Sequence, residues 1–170
     1  LQATFLTFLQ AGDHLVSSSS LFGTTMGLTS TLLPRCGIEV TLVSQTDLAQ
    51  WQAAIKDNTK MLFLETPSNP LNEAGDISAL AKMAHEAGAL LVVDNSVCSP
   101  ALQRPLSLGA DLSVQSATKA IDGHGRVMGG IVCGSDTLID QVFQHARTAG
   151  QSMSPFNAWV LLSGLETLFV

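Results

Sequence analysis

The sequence has few charged residues and no long apolar run, and each shortage excludes a class of protein. Charged residues make up 13% of the 170 positions, the net charge is −6, and the lysines and arginines form no cluster. This composition argues against a nucleic-acid partner. The longest unbroken apolar run, ALLVV at positions 89–93, is far shorter than the roughly 18 residues that a membrane span needs. We therefore expect neither nucleic acid nor a membrane as a partner.

Cysteine and histidine are also scarce. The three cysteines lie far apart at positions 36, 98 and 133, and the four histidines show no HxxxH pairing. An odd, scattered set of cysteines predicts neither a disulfide framework nor a zinc site, and it fits a reducing cytoplasm. Metal catalysis has no support in the sequence.

What the sequence does contain is a large apolar fraction. A hydrophobic content of 46% in 170 residues predicts one domain with a sizeable core. The chain opens with Leu1 inside a helical pattern, has no basic signal-peptide start, and ends inside another helical pattern without a cap. We expect residues 1–170 to form a single domain, cut at both sides from a longer protein.

Short β-type runs alternate with helical patterns along the chain. The apolar runs predict strands at 14–19, 38–44, 61–66, 89–95 and 112–117, and helical spacing predicts helices at 47–57 and 76–88. Asp76 fits the N-cap of the second helix and Gly88 fits its C-terminal stop. Apolar strands separated by helices predict a parallel sheet covered on both faces, which is an α/β fold.

Polar residues follow three of the predicted strands. In such sheets ligands bind beyond the carboxyl ends of the strands, so these residues are candidates for one site. The strand ends supply the following residues: Glu65, Asn69, Asp94, Ser116, Thr118 and Lys119.

Two of these candidates, Asp94 and Lys119, together indicate a chemistry. A carboxylate after five apolar residues needs a cation if it is buried, and a protonated pyridine nitrogen would serve. A lysine in a desolvated pocket can lose its proton and form an imine. An imine-forming lysine with an aspartate on the ring nitrogen is typical of pyridoxal phosphate (PLP) enzymes. The alternatives are a turn aspartate and a surface-loop lysine.

The glycine-rich segment GHGRVMGG at 123–130 is a weaker motif. It lacks the G-x-G-x-x-G spacing, is followed by the strand-like IVCGS, and contains no GK[ST] element. It therefore supports neither a dinucleotide loop nor a P-loop.

The segment VDNSVCSPALQRPLSLGADLSVQSATKAIDGHGRVMGG at 93–130 closely resembles the Cys/Met-metabolism PLP enzymes, with a core of S-A-T-K-x-I-x-G-H-G. The resemblance runs through AGDHLVSSSSLFGTT, ETPSNP and SMSPFNAWVLLSGLETL. GHGRVMGG and SPFNAW are most similar to the O-succinylhomoserine sulfhydrylase branch. The resemblance implies the three-layer α/β/α, mostly parallel large domain of the aspartate-aminotransferase-like PLP fold (fold type I).

The same resemblance implies roles for individual residues. Lys119 is similar to the Schiff-base lysine and Asp94 to the partner of the pyridine nitrogen. Ser116 and Thr118 resemble phosphate ligands, and Asn69 resembles the asparagine near the ring hydroxyl and the substrate carboxylate.

Two positions depart from the family's pattern. Phe22 stands where many members carry a ring-stacking tyrosine, and this chain has no tyrosine; core packing is the alternative for Phe22. Ala120 replaces a commonly aromatic residue after the lysine. Family members also have an S-G-M phosphate loop and partner-subunit contacts upstream, and a substrate-binding arginine in a C-terminal small domain. None of these parts is present in residues 1–170.

The activity implied by the resemblance is γ-replacement on an O-acylated homoserine, with sulfide or a thiol as the second substrate. The alternatives within the family are cystathionine γ-synthase and carbon–sulfur lyases. Outside it they are a catalytically silent assembly domain and a generic nucleotide-binding module. The family also implies a cytoplasmic homo-oligomer, a dimer of dimers.

Overall fold

The computed structural model describes residues 1–170, which form one six-stranded sheet with helices on both faces. The strands are β1 (His14–Ser18), β2 (Glu39–Val43), β3 (Thr59–Glu65), β4 (Leu90–Asp94), β5 (Leu112–Ser116) and β6 (Gly130–Gly134). Their order in the sheet is β2-β1-β3-β4-β5-β6. Strands β1 to β5 are parallel, and β6 pairs antiparallel with β5 at the edge.

The helices connect and cover these strands. They are α1 (Gln2–Phe8), α2 (Gly23–Gly27), α3 (Leu33–Arg35), α4 (Leu48–Ala54), α5 (Ile77–Glu86), α6 (Ser99–Leu102), α7 (Asp136–Ala149) and α8 (Pro155–Gly164). Two π-helical turns, Leu28–Leu32 and Ala117–Ile121, and two 3₁₀ turns, Pro105–Leu108 and Leu165–Thr167, complete the set. None of the helices has the length and apolar composition required to cross a membrane.

The strands are apolar on both sides because each side has its own core. Along β3, Leu62 and Leu64 enter one cluster of buried residues, and Met61 and Phe63 enter another. Successive side chains of a strand point to opposite faces, so one apolar run serves both layers. α4 and α5 cover the first cluster, and α1 and α3 cover the second. This arrangement is the predicted three-layer α/β/α fold.

The five predicted strands are confirmed to within two residues. The helix at 76–88 is also confirmed: the Asp76 carboxylate accepts the backbone N–H of Ala79 at 2.9 Å, and Gly88 has the positive φ of +67° that stops a helix. The helix predicted at 47–57 ends earlier, at Ala54, because Ile55 is extended. The sheet is mostly but not wholly parallel, because IVCGS forms the edge strand β6, which pairs antiparallel with β5.

Candidate functional site

The candidate residues meet where β3, β4 and β5 end. Glu65 of β3 lies in register with Asp94 of β4, and Asp94 lies in register with Val114 of β5. A cavity of about 970 Å³ opens at this edge of the sheet. Its wall includes five of the six residues to which the sequence assigned roles: Phe22, Asn69, Asp94, Ser116 and Lys119.

Asp94 is a buried carboxylate, with 8% of its surface exposed. The backbone N–H and the hydroxyl of Ser96 donate to its Oδ1 at 3.0 and 2.5 Å. Burial raises the pKa of Asp94, and the Ser96 bonds and the positive Leu1 amino group oppose part of that rise. No lysine or arginine forms an ion pair with it. The alternative that Asp94 is only a turn residue accounts for its bonds to Ser96 but not for its burial on a cavity wall.

Lys119 lies in the π-helical turn that directly follows β5. Its backbone (φ −90°, ψ −124°) interrupts that turn, and its side chain forms no ion pair with an acidic residue. The expectation that Lys119 is desolvated is wrong, because the residue is exposed. Ala120 lines the same cavity and is also exposed.

The two predicted phosphate ligands differ in their surroundings. Ser116 lines the cavity, and its backbone N–H donates to the Ser96 hydroxyl at 2.7 Å. Thr118 is not part of the cavity wall. Its hydroxyl accepts the Gly129 N–H at 3.1 Å and lies 3.3 Å from the Gly129 carbonyl oxygen, to which it donates. Thr118 therefore ties the lysine turn to the glycine-rich segment.

Phe22 and Asn69 lie on the rim of the cavity. Phe22 is 48% exposed, so the alternative of core packing is wrong for this residue. Asn69 is exposed as well. The Phe22 N–H donates to the carboxylate of Glu65 at 2.8 Å.

The glycine-rich segment after Lys119 is held by one arginine. Arg126 donates through its backbone N–H and its Nε to the buried carboxylate of Asp122, at 2.6 and 3.0 Å. Its guanidinium also donates to the Val160 carbonyl and the Ser163 hydroxyl of α8, both at 3.2 Å. The arginine bonds lower the pKa of Asp122. Arg126 thus joins the lysine turn to α8.

Sequence reasoning missed three contributions to the cavity. Ser96 could have been found, because a serine two residues after a strand-end aspartate can donate back to it. Glu65 was noted as a strand-end acid but received no role. The stretch 151–154 also lines the wall, and nothing in its local sequence indicates that it returns to the end of β5.

The comparisons with known proteins identify the family of the chain. Residues 1–170 match the Cys/Met metabolism PLP-dependent enzyme family. The chain is 53% identical over 166 residues to an O-succinylhomoserine sulfhydrylase from Pseudomonas aeruginosa, an alignment that covers 98% of this chain and 41% of the relative. It is 48% identical over 163 residues to an O-succinylhomoserine sulfhydrylase from Mycobacterium tuberculosis, covering 95% of this chain and 40% of the relative.

A solved structure shows the same fold. The crystal structure of cystathionine γ-lyase from Lactobacillus plantarum complexed with L-serine superposes with a TM-score of 0.95 at 36% identity. The match covers 98% of this chain and 44% of that one, so the chain spans less than half the length of the relatives it matches. With the family matched over every residue and the fold shared, the chain belongs to the Cys/Met metabolism PLP-dependent enzymes.

Proposed function

We propose that the protein is a PLP-dependent enzyme in which Lys119 carries the cofactor and Asp94 faces its ring nitrogen. The observation that carries the proposal is that both side chains line one cavity, at the ends of the adjacent strands β4 and β5. Membership of a PLP-dependent family supplies independent support.

The residues present fit the cofactor. Asp94 is a buried carboxylate without a lysine or arginine partner, so a protonated ring nitrogen would supply the missing positive charge. Lys119 has an amine that no acidic residue binds. The cavity volume of about 970 Å³ lies at the upper end of the range of ligand pockets, about 300–1,000 Å³.

Each of the other candidate residues would hold one part of the cofactor. We assign the phosphate to the Ser116 and Thr118 hydroxyls; the Thr118 O–H, which donates to the Gly129 carbonyl, would have to turn from that carbonyl to the phosphate. We assign the ring hydroxyl and the substrate carboxylate to the Asn69 amide. The Phe22 ring would stack on the pyridine; it has no hydroxyl and therefore takes no part in proton transfer.

The chemistry depends on Lys119 and Asp94. Bound PLP acts as an electron sink for the carbanion formed from an amino acid. Lys119 Nζ, once released by the incoming substrate, would remove the proton at Cα and then move protons at Cβ. The Asp94 carboxylate would keep the ring nitrogen protonated, because a neutral pyridine withdraws electrons less well.

The reaction that we favour is γ-replacement: O-succinylhomoserine and sulfide give homocysteine and succinate. The Cγ–O bond of the ester breaks, and a Cγ–S bond forms. The similarity to two O-succinylhomoserine sulfhydrylases supports this assignment. The likeness to a cystathionine γ-lyase keeps elimination as the second candidate. A silent assembly domain is disfavoured because Lys119 and Asp94 are both retained on the cavity wall.

The two activities differ in their products. The full-length protein, given PLP, sulfide and O-succinylhomoserine or O-acetylhomoserine in turn, should form homocysteine faster from the succinyl ester. Formation of 2-oxobutyrate without sulfide would instead identify a lyase. If neither product forms, the silent-domain alternative is favoured.

We also propose that the protein works in the cytoplasm as a homo-oligomer, a dimer of dimers. All three cysteines are free thiols, which suits a reducing compartment. The apolar side chains Phe156, Trp159 and Leu162 of α8 are each about two-thirds exposed (65%, 67% and 65%), and such a face is suited to association. Sedimentation equilibrium of the full-length protein would give the number of subunits.

A further inference from the structure

Glu65 is a second buried acid at the candidate site, and neither the proposed reaction nor the family resemblance gives it a task. It ends β3, lies in register with Asp94, lines the cavity, and has only 3% of its surface exposed. No lysine or arginine forms an ion pair with it. A buried, unpaired carboxylate is costly, and a residue of this kind needs an explanation.

The contacts of the carboxylate supply that explanation. Glu65 Oε2 accepts the backbone N–H of Phe22 at 2.8 Å. Burial raises the pKa of Glu65, while the backbone N–H groups of Phe22 and Asn69 both favour its ionised form. The bond to the Phe22 N–H therefore joins the end of β3 to the segment that begins α2.

The Phe22 N–H has few other hydrogen-bond acceptors available to it. Phe22 is the N-cap of α2, so its N–H lies before the first turn and no carbonyl of that helix accepts it. An acceptor must come from elsewhere in the fold, since an unpaired main-chain donor at this partly buried position costs free energy. Glu65, on the rigid centre of the sheet, supplies it.

We infer that Glu65 is a positioning residue that fixes the Phe22 segment at the cavity. Its reach sets the distance of the Phe22 ring from Asp94, because Glu65 and Asp94 are neighbours in the sheet. The consequence for cofactor binding rests on the proposed function. The positioning of the Phe22 segment does not.

The test compares Glu65→Ala, Glu65→Asp and Glu65→Gln in the full-length protein. Alanine removes the acceptor, aspartate shortens its reach, and glutamine keeps an acceptor oxygen without the charge. Glu86→Gln is the control for loss of charge, since Glu86 is exposed on α5. Leu80→Ala, in the core beneath the opposite face, is the control for loss of stability.

The first readout needs no cofactor. Amide hydrogen exchange should rise in the peptide that contains Phe22 for Glu65→Ala and Glu65→Asp, and stay at the wild-type level for Glu65→Gln. Leu80→Ala should raise exchange throughout the core instead. Unchanged exchange in Glu65→Ala, or an equal rise in Glu65→Gln, would overturn the inference.

The second readout uses pyridoxine 5′-phosphate, which has no aldehyde and so cannot bond to Lys119. Loss of one acceptor for a buried donor corresponds to roughly tenfold weaker binding in Glu65→Ala, with glutamine within about threefold of wild type. If Glu65→Ala binds pyridoxine 5′-phosphate as tightly as Leu80→Ala does, that result would contradict a role for Glu65 in the site. If wild-type protein binds neither this probe nor PLP, the proposed function fails, and the exchange result alone decides the role of Glu65.

Discussion

Ser96 donates twice to one oxygen of Asp94, through its backbone N–H at 3.0 Å and its hydroxyl at 2.5 Å. The same hydroxyl accepts the Ser116 N–H at 2.7 Å. Ser96 therefore joins the ends of β4 and β5, from which the aspartate and the lysine of the candidate site come. The carboxylate is therefore oriented by the residue two positions after it, through both its main chain and its side chain.

The Ser96→Ala variant should weaken both connections. The Ser116 N–H loses its acceptor, and the pKa of Asp94 should rise further because one of the bonds that lower it is gone. We expect a loss of about 1–3 kcal/mol in the free energy of unfolding and weaker PLP binding. Urea titration and cofactor titration measure the two effects. Ser30→Ala, which removes an exposed hydroxyl bonded within its own helix, is the control, and equal behaviour of the two variants would contradict the bridging role.

The Asp94→Asn variant should separate stability from activity. Burial places the folded-state pKa of Asp94 above its unfolded-state pKa. As the pH rises from the unfolded-state pKa to the folded-state pKa, ionisation of Asp94 therefore lowers the free energy of unfolding. Without cofactor, the asparagine variant should therefore be more stable than wild type at neutral pH. Its turnover should fall by about a hundredfold or more, because the ring nitrogen loses its counter-charge.

Thermal unfolding of the cofactor-free proteins and steady-state assays of the loaded proteins test both parts. Near-normal turnover in Asp94→Asn would contradict its role, and a drop in its cofactor-free stability would contradict the burial argument.

His14 should make the fold sensitive to mild acid. It is fully buried at the start of β1, with Nδ1 2.8 Å from the Thr59 hydroxyl and Nε2 2.9 Å from the Thr41 hydroxyl. Burial, and next the charge of Lys56, lowers the pKa of His14. The unfolded chain then binds more protons, so stability falls as the pH drops below about 6.5 toward the folded-state pKa.

Urea unfolding between pH 7.5 and 5.5 measures this slope. His14→Gln should be less stable at pH 7.5 but should lose less with acid than wild type. His85, which bonds to Asp111 on the surface, stays in both proteins and cancels in the comparison. Parallel pH curves for the two proteins would rule out the histidine as the cause.

Arg126→Ala should loosen the segment that follows Lys119. The variant keeps the backbone bond to the buried Asp122 carboxylate but removes the side-chain bonds to Asp122, to the Val160 carbonyl and to the Ser163 hydroxyl of α8. We expect a lower melting temperature and faster amide exchange over residues 117–130. Arg126→Lys keeps the charge but not the forked geometry, so its melting temperature and exchange should lie between those of wild type and Arg126→Ala. Exchange in Arg126→Ala that is unchanged over 117–130 would show that α8 does not hold this segment.

Much of the fold was predictable because the sheet is buried on both faces. Short apolar runs bounded by turn residues, such as ALLVV, are typical of interior strands, and Asp76 and Gly88 mark the helix between two of them. β6 was harder to place, since a glycine-flanked run of five residues indicates a strand but not its direction. The antiparallel pairing of β6 depends on how the 117–130 segment turns back.

The site was predictable where strand ends determine it, and less so where loops do. Asp94 and Lys119 follow strands, so parallel pairing alone brings them together. Thr118 lies next to Lys119 in sequence, yet its hydroxyl bonds to Gly129, eleven residues away. Phe22 could not be placed by hydrophobicity, because its position depends on a bond to Glu65, 43 residues away.

The central claim is that Lys119 carries the cofactor. The most direct test is to incubate the full-length protein with PLP, reduce it with borohydride, digest it and locate the pyridoxyl mass. The account predicts the label on the peptide that contains Lys119, its absence from peptides with Lys56, Lys60 or Lys82, and its loss in Lys119→Ala. Labelling spread over the other lysines, or none at Lys119, would contradict the account.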